Sequence, residues 1–363
     1  MTAASPSPGG HEDRASRQGR ASLDGRESLD REGFEGREGK LLEEALFEVK
    51  RVIVGQDRMV ERMFTAVLAR GHCLLQGVPG VAKTLAAKTL AEVAGGKFAR
   101  LQFTPDLVPS DISGTRIYRQ SSETFTVEPG PVVANFVLAD EINRAPAKVQ
   151  SALLEVMGEH QVSIGGTTIP VPEPFLVLAT QNPIESEGVY QLPEAQRDRF
   201  LLKVEIAAPS ESEELAILYR MSVDPPRARP VLTPERLIAL QRAADEVFVH
   251  HAIAEYAVRL IVSTRELAGR DGRLAHGAGP RATLGLVAAA RALALLRGRG
   301  YVLPEDVHDL AHEVIAHRLV LSFDALADGV GGAEIVDEVL AAVEQPRVSP
   351  RHDLGPDPQE YVA

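Results

Sequence analysis

The sequence predicts an α/β domain built on parallel strands, followed by a smaller all-α domain. Three observations carry this reading. Short apolar runs alternate with helix-length amphipathic stretches, the rhythm of βα units. Residues 73–84 read Cys-Leu-Leu-Gln-Gly-Val-Pro-Gly-Val-Ala-Lys-Thr, a strand breaking into a glycine loop and then a helix. Beyond Pro209-Ser210, helical patterns follow one another with no strong strand until the end.

The bulk properties bound the chemistry. A chain of 363 residues, 44% hydrophobic and 25% charged, is globular and long enough for two folded domains. No apolar run approaches the ~18 residues of a membrane span, and the N-terminus lacks the apolar segment of a secretory signal. The single cysteine, Cys73, excludes an intrachain disulfide and fits a reducing cytoplasm. A net charge of -12 argues against tracking a nucleic-acid backbone over a broad surface, so no nucleic-acid partner is expected.

Residues 1–38 are Ser, Gly, Arg, Asp and Glu with few large apolar side chains, a disordered tail by composition. Leu41, Leu42, Ala45, Leu46 and Val49 then mark a helix. Val54-Gly55-Gln56 follows, and Asp57 or a neighbour caps a second helix running to about Arg70.

Cys73, Leu74 and Leu75 read as a buried strand. In the loop Gly77-Val78-Pro79-Gly80-Val81-Ala82-Lys83-Thr84, with Leu85 next, backbone N–H groups face phosphates at a helix N-terminus. Lys83 is placed to reach β- and γ-phosphates, and the Thr84 hydroxyl to bind Mg²⁺. Ala82 stands where the general motif has glycine, and an alanine resists positive φ. A glycine turn before an ordinary helix is the plainer alternative.

Residues 97–103 read as the next strand, and 114–130 as a hairpin inserted beside the core, turning at Ser121-Ser122-Glu123. Residues 135–141 form a buried strand ending in Asp140-Glu141. Beside a phosphate loop, Asp140 holds Mg²⁺ through water and Glu141 orients and deprotonates the attacking water. The plain alternative is an acidic strand end facing solvent. Pro146 opens a helix with Val149, Leu153, Val156 and Met157 inward. Gly165-Gly166 turns a second inserted hairpin over 161–171.

The strand Phe175–Thr180 delivers Asn182 to the same sheet edge as Asp140, either to the γ-phosphate and water or as a turn residue before Pro183. A short helix from Leu192 leads into the strand 200–206. It carries Arg197 and Arg199, surface charges or, for one of them, an arginine finger. Helices are expected near 211–222, 234–247, 253–268, 281–297 and 304–319. Arg281 sits in the first turn of one, against the helix dipole, which favours an anionic partner. Residues 346–363 read as a flexible tail.

These residues resemble the MoxR family of AAA+ ATPases over about Leu41–Leu321. The specific pieces are Gly77–Thr84, Ala139-Asp-Glu-Ile-Asn-Arg-Ala-Pro146, Ala179-Thr-Gln-Asn-Pro-Ile-Glu185, Leu192–Gln196 with Asp198-Arg-Phe200, and Gly279-Pro-Arg-Ala282. Ala82 is usual in that family; Arg197 departs from its more usual leucine. The resemblance implies an AAA+ P-loop core, a five-stranded parallel αβα sandwich at 39–208, with a small all-α lid at 209–345. It implies ATP and Mg²⁺ held between subunits of a homo-hexamer. By position, Lys83 and Thr84 are the Walker A pair, Asp140 and Glu141 the Walker B pair. Asn182 is sensor 1, Arg199 the arginine finger and Arg281 sensor 2. Val54, Gly55 and Gln56 join the adenine pocket. Family members act as chaperone-like factors on protein clients, often with von Willebrand factor A domain partners, sometimes through metal insertion.

Four functions compete at this stage: a remodeller of protein clients, a chelatase-type motor subunit, an ATP-dependent scaffold with little hydrolysis, and a DNA motor or loader. Glu141 speaks against the scaffold. The acidic charge and the lack of a helix-turn-helix or zinc pattern speak against the DNA motor.

Overall fold

The computed structural model describes residues 36–183, 190–222 and 225–347. The expected tails, apart from their inner ends, and Ile184 and Glu185 of one motif lie outside the described residues.

Helix α1 (36–52) buries Leu42, Ala45 and Val49, the side set by their three- and four-residue spacing. Residues 36–38, assigned to a tail by composition, are part of this helix. Glu38 is buried and pairs with Arg236, so one ion pair anchors a stretch whose composition predicts no anchor. In α2 (Asp57–Leu68) the N-cap is Gln56, with no side-chain capping bond; Asp57 lies in the first turn, where its charge suits the helix dipole.

The chain then runs through β1 (Cys73–Gly77), α3 (Lys83–Ala94), β2 (Phe98–Gln102), α4 (Pro109–Ser113), β3 (Gly114–Arg119) and β4 (Thr124–Pro129). Next come β5 (Phe136–Asp140), α5 (Ala147–Glu159), β6 (Gln161–Ile164) and β7 (Thr167–Pro170). The core ends with β8 (Leu176–Gln181), α6 (Glu194–Arg197) and β9 (Leu202–Ile206). Five strands make one parallel sheet in the order β2-β5-β8-β1-β9. Every residue of β5 is buried, as expected for a parallel strand covered on both faces. This order sets the C-terminal ends of β1, β8 and β5 side by side, where open α/β sheets bind ligands.

The two inserted hairpins, β3–β4 and β6–β7, pair antiparallel outside the sheet. Gly165 and Gly166 both have positive φ, 56° and 86°, the backbone a two-residue hairpin turn requires.

The C-terminal region holds α7 (Glu211–Ser222), α8 (Pro234–Glu246), α9 (His251–Arg270), β10 (Leu274–His276), α10 (Pro280–Leu296) and α11 (Pro304–Ile315). It continues with β11 (Val320–Leu321), α12 (Phe323–Ala327) and α13 (Gly332–Ala342). The region is not purely helical: β10 and β11 form a small antiparallel ladder with a register irregularity. Strands of three and two residues are too short to show any period in sequence. The helix expected over 304–319 ends at Ile315, and Ala316–Arg318 tighten into a 3₁₀ turn.

The helical region is welded to the sheet region. One hydrophobic cluster includes Leu42 of α1, Leu75 of β1, Leu286 of α10 and Val339 of α13. Across the seam, the buried Arg62 of α2 reaches Asp309 at 3.1 Å and Glu313 at 3.3 Å on α11, and Arg58 reaches Glu313 at 2.6 Å.

Candidate active site

The glycine loop leaves β1 and turns sharply at Gly80, whose φ is +86°. Ala82 is left-handed too, with φ 61°, a conformation that costs an alanine roughly 1–2 kcal/mol. That strain sits directly before Lys83, where α3 begins. Lys83 Nζ donates to the carbonyl oxygens of Gly77 and, at 3.5 Å, of Gln181. The ammonium is thereby drawn between the ends of β1 and β8.

A cavity of about 360 Å³ opens here. Pro79, Gly80, Ala82, Lys83, Thr84 and Leu85 line it from the loop and helix. Asp140, Glu141, Thr180 and Asn182 line it from the ends of β5 and β8. Gly77, Val78 and Val81 do not line it; Gly77 instead lies so close to β9 that an added Cβ would stand 2.8 Å from the Ile206 carbonyl.

Asp140 is nearly buried and well held. Thr180 Oγ1 donates to its Oδ1 at 2.6 Å, and Thr84 Oγ1 lies 3.4 Å from its Oδ2. Thr180 also accepts from the Glu141 backbone N–H at 2.8 Å. Glu141 has φ 56° and ψ 48°, left-handed for a residue that rarely takes it, which turns the chain abruptly after β5. Its carboxylate accepts from Gln102 Nε2 at 2.9 Å and faces Arg144 at 3.3 Å. Arg100 donates to Asp140 Oδ2 through Nε at 3.1 Å and Nη2 at 2.7 Å.

The donor set suits Mg²⁺. One hydroxyl and one carboxylate stand together, and among the described residues no cluster of three His, Cys, Asp or Glu could form an all-protein cage. Mg²⁺ ordinarily binds through one or two carboxylates together with substrate phosphates.

Other expected residues lie apart from this cavity. Val54, Gly55 and Gln56 join α1 to α2 and face the β9–α7 connection: Gln56 Nε2 donates to the Ala207 carbonyl at 3.2 Å. Gly55 has φ 74°, and a Cβ there would stand 2.6 Å from the Glu213 side chain. Arg199 is exposed and donates to the Leu154 carbonyl near the end of α5, over Gly158. Arg281, in the first turn of α10, pairs with Asp198 at 3.1 Å. The anionic partner expected of it is thus a carboxylate of the chain itself. Asp198 is also held by Arg318 at 2.9 Å; burial pushes that guanidinium below its ordinary range and Asp198 opposes the shift.

Residues 72–202 match the family model described as "ATPase family associated with various cellular activities (AAA)", and residues 270–339 match an AAA lid domain. Chaperone MoxR1 of Mycobacterium tuberculosis is 60% identical over 313 residues, 85% of this chain and 83% of that protein. The chain belongs to the MoxR family of AAA+ ATPases. YeaC of Bacillus subtilis is 43% identical over 84% of this chain and 95% of its own length. Protein MoxR of Methylorubrum extorquens is 33% identical over 82% of this chain and 91% of its own length. A crystal structure of a candidate ATPase from Cytophaga hutchinsonii superposes with a TM-score of 0.82 at 39% identity, covering 90% of this chain and all of that one. The cavity between the glycine loop and the two strand-end carboxylates lies within the stretch that the ATPase family model matches.

Sequence reasoning missed Arg100, Gln102 and Thr180. Thr180 directly precedes Gln181-Asn182 at the end of an apolar strand, so its hydroxyl is signalled in the sequence. Arg100 and Gln102 give no signal until β2 is known to lie beside β5.

Proposed function

We propose that this MoxR ATPase hydrolyses ATP in a ring, a homo-hexamer, and uses the cycle to remodel, mature or activate protein clients. The observation that carries the chemistry is the single cavity shared by Lys83, Thr84, Asp140, Glu141 and Asn182. Lys83 neutralises the β- and γ-phosphates, Thr84 and Asp140 hold Mg²⁺, and the loop N–H groups cradle the triphosphate. Mg²⁺ supplies charge neutralisation of the phosphate oxygens. Glu141 takes a proton from the attacking water, whose oxygen bonds to the γ-phosphorus while the β–γ bridging oxygen leaves with ADP. Asn182 orients that water or the γ-phosphate. Val54, Gly55 and Gln56 wall the adenine side.

One observation supports assembly: Arg199 does not line its own chain's cavity, so a finger role requires a neighbour's site. Arg281 also stands outside the cavity while it pairs with Asp198, and as a lid sensor it reaches the γ-phosphate only after release from that carboxylate. The chaperone assignment is supported by the name of the Mycobacterium tuberculosis relative. A von Willebrand factor A domain protein is the proposed partner and the cytoplasm the proposed compartment. No helix of the described residues is long and apolar enough to cross a membrane.

A pair of variants tests the site. Lys83→Ala removes the cation from the phosphates and weakens ATP binding; equal affinity in variant and wild type overturns the assignment. Glu141→Gln keeps shape but cannot accept the proton, so ATP still binds while turnover falls by roughly 10²-fold or more. Wild-type turnover in Glu141→Gln means another group is the base.

A further inference from the structure

Asp140 has one oxygen committed to the fold and one oxygen in contention. Oδ1 accepts the Thr180 hydroxyl at 2.6 Å. Oδ2 lies 3.4 Å from the Thr84 hydroxyl and accepts two hydrogen bonds from Arg100, at 3.1 and 2.7 Å. Arg100 stands on β2, the edge strand, in register with Leu138 of β5. Positions 138 and 140 share a face of β5, so Arg100 reaches Asp140 as a diagonal cross-strand neighbour. The sheet itself brings this cation to the carboxylate.

We propose that Arg100 is the resident counter-cation of Asp140, and that Mg²⁺ and the Arg100 guanidinium compete for Oδ2. The proposal rests on the assignment of this cavity as a nucleotide–Mg²⁺ site. Three features support it. Thr180 fixes Oδ1, which leaves Oδ2 as the oxygen nearest the Thr84 hydroxyl. A guanidinium and a divalent cation on one oxygen repel each other, so the closer one binds, the weaker the other. Arg100 can yield at low cost: its side chain is 51% exposed, and Nη2 also donates to Gln102 Oε1 at 2.7 Å, a partner it keeps when it leaves Asp140. Arg100 is therefore a positioning residue that sets how much Mg²⁺ the site needs, and it keeps Asp140 compensated until the metal arrives with nucleotide.

The test uses the full chain and a fluorescent N-methylanthraniloyl-ADP, titrated with Mg²⁺ at fixed nucleotide concentration. Removing a half-exposed ion pair predicts that Arg100→Ala lowers the Mg²⁺ midpoint by about two- to fivefold. Affinity for the same nucleotide in EDTA stays unchanged. Arg100→Lys, which keeps the charge without the fork, falls between Arg100→Ala and wild type. Thermal melting of both variants checks that they fold. An unchanged or raised Mg²⁺ midpoint in Arg100→Ala overturns the competition, as does a loss of affinity in EDTA, which would make Arg100 a phosphate ligand. Failure of the wild type itself to bind this nucleotide at any Mg²⁺ concentration overturns the site assignment and the competition together.

Discussion

Acid should loosen this protein through a histidine that anchors the central strand. His72 directly precedes β1 and is buried at 5% exposure. Its Nδ1 accepts the Val177 N–H at 3.1 Å, so the proton sits on Nε2, 3.3 Å from the Met157 carbonyl. Burial pushes its pKa down from 6.5 to about 4; the Met157 carbonyl opposes the shift and nearby His160 adds to it. The folded pKa is thus below the unfolded value. Between those two values the unfolded chain binds more protons, so stability rises with pH. The contribution is complete above about pH 6.5 and is lost as the pH falls toward 4. At pH 5 the loss from His72 is about 2 kcal/mol, a large share of a typical domain's stability. His317, also buried, is held well below its ordinary value, first by burial and then by Arg318, and adds loss of the same sign. Urea unfolding of the full chain at pH 7.5 and 5.0, followed by circular dichroism, measures the difference. His72→Gln should be less stable at neutral pH but lose about 2 kcal/mol less than wild type on acidification. An equal loss in His72→Gln and wild type would refute the reasoning.

Two further variants probe the arginines. Arg281→Ala removes one partner of Asp198 but leaves Arg318 in place, so stability should change by no more than ~1 kcal/mol. Nucleotide-dependent protection of the α10 N-terminus from hydrogen exchange should vanish; protection as in wild type removes Arg281 from the site. For Arg199, mixing an Arg199→Ala protein with a Lys83→Ala protein, each inactive alone, should restore some ATPase activity. An intact Arg199 then faces an intact Lys83 across a subunit boundary. Full activity of Arg199→Ala by itself excludes the finger and leaves Arg197 as the next candidate.

What could be read in sequence was what lies contiguous in it. The phosphate loop needs Gly80, Lys83 and Thr84 within one turn, and the strand carrying Asp140 announces itself by the apolar run Phe136-Val137-Leu138-Ala139. Residues that meet across the sheet were not legible. Gln102 touches Glu141 and Arg100 touches Asp140 because β2 pairs with β5. Glu38 looked like part of a polar tail because its partner, Arg236, is distant in sequence. The Arg62–Glu313 and Arg62–Asp309 pairs span the chain in the same way, and pattern within either helix says nothing about them.

That seam constrains how the helical region can respond to nucleotide. Arg62 is buried; Glu61 beside it on α2 pairs with it at 2.7 Å, and its other two carboxylate partners sit on α11. Pulling α11 from α2 would break both of those Arg62 pairs and the Arg58–Glu313 pair together, leaving Arg62 only Glu61, before any apolar contact is counted. Apolar packing between α2 and α10 closes the same interface. A hinge that opens here is therefore far costlier than a rearrangement at the rim. At the rim, Arg281 is exposed and its pair with Asp198 is worth at most about 1 kcal/mol. A γ-phosphate offers Arg281 more charge than one carboxylate does. When Arg281 leaves Asp198, Arg318 still holds it, but one contact of the residue directly before Arg199 is lost; on the roles proposed for these arginines, a signal from Arg281 to Arg199 travels through that side chain. The Arg281→Ala exchange experiment and the mixing experiment read the two ends of that link. A change confined to the α10 N-terminus, with α2, α11 and the rest of α10 still protected, is the outcome expected of this geometry.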